Sequence, residues 1–283
     1  MKFAIKTLVV AAALAAGAAQ ASINTFDSAD GAGGSLVLDL WNQTAQQSAT
    51  FDLGLDTIGF TPAAFSTAGT QVSWNLNTGT LNSTGSFDVS SLLAGVSGDW
   101  SAAWNTFAPS LAGASFAVVA GDHSGSTAPT QYYLSTSSST LAAVKTTSNT
   151  NILGFFTNVN PSLVAANNLG NNPSVANGAD VTDSSSAAYQ GAAKALADNW
   201  HNQAPFTATG NIGSDLAFYS LQGVGSLPLT KVAVNQFGGV FDLNADSGVL
   251  TYTVAAAVPE PETYAMLLAG LGMLGMIARR RIN

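Results

Sequence analysis

Two histidines and sixteen carboxylates are the side chains with which this chain could do acid–base or metal chemistry, and their spacing decides what is feasible. Gly121-Asp122-His123-Ser124-Gly125 sets a carboxylate, an imidazole and a hydroxyl side by side. A nucleophilic triad needs those groups to converge in space rather than to be adjacent in sequence. The Gly-x-Ser-x-Gly elbow that presents a serine nucleophile is also missing, so the run reads as a polar turn. His201 follows Trp200 at the end of an Ala-rich segment, where a cation suits the negative end of a helix dipole. No His-x-x-x-His or similar spacing exists and there is no Cys, so a zinc site has no ligand set. Asp242-x-Asn244-x-Asp246-Ser247-Gly248 offers oxygen ligands at positions 1, 3 and 5 of a calcium loop. Glycine falls at position 7 rather than 6, however, and Thr253 stands at position 12 where a bidentate Glu belongs, so the run reads as an Asx-rich turn. Paired carboxylates could cleave a glycosidic bond, but fourteen Asp spread through a Glu-free body produce close pairs by chance. Gly31-Ala32-Gly33-Gly34 precedes a strand instead of following one, so it offers no helix N-terminus to a phosphate. Trp41, Trp74, Trp100, Trp104 and Trp200 could stack on sugar rings if exposed. Most Trp is core, and core is the reading favoured here. No catalytic, cofactor or metal site is assigned, and the chain is expected not to be an enzyme.

The composition excludes other classes. The chain has 283 residues, a net charge of −8 and only 8% charged residues, against ~25% in an ordinary soluble domain. A pI near 4.3 argues against nucleic-acid binding, which needs clustered Lys and Arg to displace phosphate counterions. High apolar content argues against disorder, and the lack of Cys removes any disulfide framework. The charge is also unevenly placed. Residues 22–258 carry fourteen Asp, no Glu, no Arg and only Lys145, Lys194 and Lys231, a net of −11. The remaining basic residues flank apolar runs at the two ends.

At the N-terminus, Lys2 and Lys6 precede an apolar stretch, Leu8 to Ala19, and then Ala19-Gln20-Ala21. Positive n-region, short apolar h-region and small residues at −3 and −1 make a secretion signal, residues 1–21, cleaved so that Ser22 starts the mature chain. At the C-terminus, residues 263–278 form an apolar run without charge, followed by Arg279, Arg280 and Arg281. As a helix this run reaches about 24 Å, slightly short of a ~30 Å hydrocarbon core. Snorkelling arginines and local thinning cover the difference. Both ends place their cations on the cytoplasmic side, so the body lies outside the cytoplasm. Pro259 and Pro261 keep the stretch before the run extended, in the form a processing enzyme can bind.

Val258-Pro259-Glu260-Pro261, a short apolar helix rich in Gly and Leu, and a terminal Arg cluster together resemble the PEP-CTERM protein-sorting domain. The resemblance implies recognition near Pro-Glu-Pro by an exosortase, an integral-membrane cysteine protease or transpeptidase. Further implied are an inner-membrane precursor and delivery to the outer surface or extracellular matrix of a Gram-negative cell, often beside exopolysaccharide. It covers residues 258–283 and assigns the body no activity. The reading is therefore of an exported, non-enzymatic surface or biofilm protein. A carbohydrate-binding module and, behind it, a secreted hydrolase are the alternatives.

The body, residues 22–257, has to be positioned by strands. Gly34 to Trp41 alternates Leu36, Leu38 and Leu40. Ala49 to Leu55 alternates Phe51, Leu53 and Leu55. Thr70 to Leu76 alternates Val72, Trp74 and Leu76. Ser115 to Ala120, Asn151 to Val159, Leu216 to Leu221 and Lys231 to Phe237 are further strand candidates. Residues 240–243 and 249–254 flank Asn244 to Gly248 as a hairpin. Ser184 to Asn199 has helical composition, and Leu92 to Phe107 is a weaker helix interrupted by Gly95 and Gly98. Asn167 to Asp183 reads as a long surface loop. Ser135 to Thr150 reads as a Ser/Thr-rich loop or edge hairpin open to O-glycosylation. The predicted fold is mainly β: an antiparallel β-sandwich-like body with one or two helices, plus an N-terminal signal helix and a C-terminal transmembrane helix.

Overall fold

The computed structural model describes residues 23–25, 33–60, 65–84, 98–123, 131–172, 175, 177–191, 196–197, 199–256, 269–271 and 273–274. Along the chain these form β1 (Ser35–Asn42), β2 (Gln47–Asp56), β3 (Gln71–Asn75), β4 (Thr80–Thr84) and α1 (Ser101–Phe107), which runs into a 3-10 turn at Ala108–Ser110. β5 (Ser115–His123), β6 (Gln131–Ser137), α2 (Leu141–Val144), α3 (Asn149–Ala166), β7 (Ala179–Asp183) and α4 (Asn199–Asn202) follow. The body ends with β8 (Gly210–Asn211), β9 (Leu216–Gln222), β10 (Ala233–Asn244) and β11 (Val249–Val254). The strands form one sheet in the order β4-β3-β11-β10-β9-β6-β5-β1-β2-β7, with β8 on β5. Every pairing is antiparallel.

The expected mainly-β antiparallel body is present, built from a single sheet that curls on itself rather than from two stacked sheets. β3 and β2 lie near opposite ends of the strand order, yet the indole of Trp74 on β3 donates to the carbonyl of Leu53 on β2 at 3.0 Å. Trp100, just before α1, donates to the Asp52 carbonyl of β2 at 2.9 Å. The curl closes around an inner core in which Leu36, Leu38, Phe51, Leu53, Val72, Trp74, Phe116, Phe218, Phe241 and Tyr252 are fully buried. Phe60 stacks on Phe65 at 3.8 Å and meets Phe218 and Tyr252 edge-on, an arrangement that suits the ring quadrupoles. Outside the sheet, Val37, Trp41, Val119, Tyr133 and Leu221 meet Ile152, Phe155, Val159 and Leu163 of α3, with Trp200 and Phe206. β1 and β5 are thus buried on both faces, which is why Ser115 to Ala120 reads as a continuous apolar run.

Several sequence expectations are corrected. Asn151 to Val159 is helix, not strand, and lies inside the 18-residue α3. Its buried residues Ile152, Phe155, Val159 and Leu163 keep helical spacing, while Leu153 (exposed) and Phe156 blur the period. Asn151 Oδ1 accepts the Ser148 amide at 2.8 Å and fixes the helix start. In Ser184 to Asn199 the described residues are turns and irregular chain up to Asn199, where the four-residue α4 begins. Leu92 to Phe107 is helical only from Ser101 among its described residues. Asn167 to Asp183 ends in strand β7, paired with β2.

Ser135 to Thr150 is the largest miss. Its first residues complete β6, a central strand between β9 and β5, and the rest forms α2 and the start of α3. Ser135, Thr136 and Ser137 are buried, and their hydroxyls donate to the carbonyls of Thr136, Ala208 and Thr207, each at 2.9 Å. Satisfied in this way, hydroxyls are tolerated inside, so these three are not surface glycosylation acceptors. The Lys231 to Phe237 strand and the first arm of the hairpin fuse into β10, with a bulge between Gln236 and Val240. The hairpin turn to β11 is as expected.

Candidate functional site

Ala19, Ala21 and Ser22, the sorting residues Val258, Pro259, Glu260 and Pro261, and Arg279, Arg280 and Arg281 all lie outside the described residues. Of the apolar run 263–278, residues 269–271 and 273–274 are described and are helical. Among the described residues no helix is long and apolar enough to cross a membrane.

The structure does describe both junctions with the body. Ile23 is buried in the outer core, and its amide donates to Asn167 Oδ1 at 2.9 Å. Asn24 donates its amide to Ser35 Oγ and accepts the Ser35 amide, each at 2.9 Å. The chain immediately after the expected signal cleavage point is therefore bound into the fold. At the other junction, Val254 ends β11 with its amide on the Thr70 carbonyl at 2.8 Å, and Ala255 and Ala256 are exposed.

The most perturbed carboxylates among the described residues are two that the sequence reading did not single out. Asp39 on β1 lies opposite Thr50, and Asp52 on β2 lies opposite Val37, so both point to the outer face. A bulge in the β1–β2 ladder falls between Ser35 and Val37, and Gly54, at φ +71°, gives its amide to Asp52 Oδ1 at 2.9 Å. Ser35 Oγ donates to Asp52 Oδ2 at 3.2 Å. Asp39 accepts one hydrogen bond, from Thr50 Oγ1 at 2.6 Å, and its Oδ2 has no partner. Burial pushes both acids up to about 7, against the weaker pull of these hydrogen bonds. On the same face of β2, Ser48 Oγ accepts the Gln190 amide, and the Ser162 hydroxyl of α3 reaches Gln190 Oε1. At 0% and 4% exposure neither acid meets solvent, so they do not form the open carboxylate pair of a glycosidase. A clue to one of them was present in the sequence: Asp39 sits between Val37 and Trp41 on the face of β1 opposite the leucines, whereas Asp52 shares its face of β2 with the polar Ser48 and Thr50.

The other candidates fall apart in space or into the core. All five tryptophans are buried, so none forms an exposed platform for a sugar ring. His123 ends β5 and His201 lies in α4, on separate elements. Among the described residues no three of His, Cys, Asp and Glu converge as metal ligands. Asn244 Oδ1 accepts the Ser247 amide at 2.9 Å, the Asx turn expected there. Asp242 is raised by burial and then by the nearby charge of Asp215. A shallow groove of about 260 Å³ between α1 and β7 is lined by Ala102, Thr106, Asn171 and Asp180, and carries that single carboxylate.

Comparison with known proteins assigns the C-terminal segment. Residues 257–281 match the PEP-CTERM protein-sorting motif. No curated protein and no solved structure matches the chain. The matched motif implies an exported precursor, held at the membrane and sorted by an exosortase.

Proposed function

We propose that this chain, carrying a PEP-CTERM sorting motif, is a non-enzymatic protein exported through its residue 1–21 signal and cut or transferred by an exosortase at Val258-Pro259-Glu260-Pro261. In this reading residues 263–278 hold the precursor in the inner membrane, and Arg279, Arg280 and Arg281 stop it on the cytoplasmic side. The observation that carries the proposal is the match of residues 257–281 to the motif. The exposure of Ala255 and Ala256 supports it, because the last described residues before the motif lie at the surface of the body. The sealed state of Asp39 and Asp52 supports a non-catalytic body. Delivery to the outer surface or an exopolysaccharide matrix completes the reading. Contact with glycans would then use the Ser, Thr, Asn and Gln side chains of a weakly charged surface, not indole stacking. The test is intact-mass spectrometry of the protein from cells with and without an active exosortase. A C-terminus near Pro259–Pro261 that depends on the enzyme is expected. A tail ending at Asn283 in both strains overturns the proposal.

A further inference from the structure

The loop between β9 and β10 carries the two most exposed large apolar side chains among the described residues of the body, Leu227 at 70% and Leu229 at 82% exposed, with the exposed Val224 in the same loop. It is not a loose loop. Asn149, buried at the start of α3, donates Nδ2 to the carbonyls of Val224 and Leu227, both at 2.8 Å, and accepts the Val224 amide at 3.1 Å. Thr150 Oγ1 and the Thr150 amide both reach the Pro228 carbonyl at 3.0 Å. The chain therefore uses a buried side chain to hold Leu-Pro-Leu out in water, a cost that solubility does not explain.

The charge around this knob is opposite to that of the body. Lys231 follows it directly, with Nζ on the Thr146 carbonyl at 2.5 Å, and Lys145 is the neighbouring exposed residue in the chain. These are two of only three lysines in residues 22–258, and no acidic residue occurs in residues 124–179 or 216–241, which supply α2, α3, β9, the loop and most of β10. Asp215, Asp242 and Asp246 gather at the far end of β9 and β10.

The path of the chain gives the occupant. β11 runs antiparallel to β10 and ends at Val254 opposite Gly239, so it leaves the body heading toward the Ala233 end of β10, where the knob is. From Gly239 to Ala233 is about 20 Å of strand at ~3.3 Å per residue. The six residues 257–262 before the apolar run span at most about 20 Å. Residues 257–262 are thus long enough, when extended, to bring the start of the apolar run level with the knob.

We propose that Leu227 and Leu229, flanked by Lys145 and Lys231, rest on the anionic bilayer surface into which the tail inserts, the leucines entering the headgroup boundary and the lysines meeting lipid phosphates. This rests on the membrane-held tail described above. Docking there would hold the Pro-Glu-Pro segment at the membrane face, where an integral-membrane enzyme works.

The absence of Cys makes single-cysteine labelling clean. The full chain, as Leu227→Cys, Leu229→Cys, Ala245→Cys (far-end hairpin) or Leu274→Cys (tail), is labelled with a polarity-sensitive fluorophore. It is reconstituted in phosphatidylethanolamine–phosphatidylglycerol vesicles containing acyl-chain nitroxide. Expected is loss of emission at 227, 229 and 274 but not at 245. The loss at 227 and 229 should weaken on replacing phosphatidylglycerol by phosphatidylcholine or on adding Lys145→Glu and Lys231→Glu. Quenching at 274 with 227 and 229 as bright as 245 overturns the docking and leaves the tail reading standing. Quenching at 227 and 229 without 274 keeps the docking and removes the membrane-held tail; quenching nowhere removes both. A blue shift at 227 and 229 that needs no vesicles shows a protein contact, and likewise overturns the proposal.

Discussion

Replacing Asp39 by Asn removes an ionisable group from a place where ionisation is costly. In the folded chain the Asp39 carboxyl titrates near 7, against 3.8 for an ordinary aspartate, because burial disfavours the anion. The folded state therefore binds more protons than the unfolded state between these values. The sign follows from linkage: this group's contribution to stability is fully present below pH 3.8 and is lost as pH rises to about 7. At ~1.4 kcal/mol per pH unit, the penalty relative to a neutral group is about 4 kcal/mol at pH 8 and about 1–2 kcal/mol at pH 5. Asparagine keeps the oxygen that accepts from Thr50 and puts an amide where Oδ2 has no partner. The unpaired amide costs about 1–3 kcal/mol at every pH. The diagnostic quantity is thus the change with pH: Asp39→Asn should gain about 2–3 kcal/mol on the wild type between pH 5 and pH 8. Urea unfolding followed by tryptophan emission reads this directly, since all five indoles are buried. With an m-value of ~2–3 kcal/mol/M the relative midpoint moves by roughly 1 M. A stability difference between Asp39→Asn and the wild type that is equal at pH 5 and pH 8 would refute the reasoning, and would mean the acid is ionised when folded or is not sealed.

Tyr252→Phe should cost about 1–3 kcal/mol, because the buried hydroxyl donates to the Phe65 carbonyl at 2.6 Å and accepts the Gly239 amide at 3.1 Å, and both groups lose their partner; urea midpoints at one pH test this. Asn149→Ala should release the loop at residues 224–230, seen as faster amide exchange at Val224 and Thr230 by a local loss of about 1–3 kcal/mol, with little change in the β1–β5 amides. Ile23→Asp should lower the urea midpoint by burying a charge in the outer core and dislodging the Asn167 contact; an unchanged midpoint would show that this anchor contributes nothing.

The C-terminal sorting motif and the inner wall were legible in the order of residues alone. Pro-Glu-Pro, the apolar run and the arginines within residues 257–281 are local chemistry, so no folding is needed to see them. The alternating leucines of β1 and β2, Val72 and Trp74 of β3, and the Asn244–Gly248 turn are also local, because a strand's period of two and a turn's backbone demands lie within a few residues. The outer face was set by packing between remote segments. α3 was misread because Leu153 and Phe156 add apolar residues off its buried stripe. β6 was misread because Thr136 and Ser137 find carbonyl partners at residues 208 and 207, some seventy positions away. Asp52 shares its face of β2 with Ser48 and Thr50 and looks solvent-facing, yet all three are buried, and Ser48 takes its partner from Gln190, 142 positions away. Burial of a polar group is a property of whatever packs above it, and those partners come from distant segments that no local window contains.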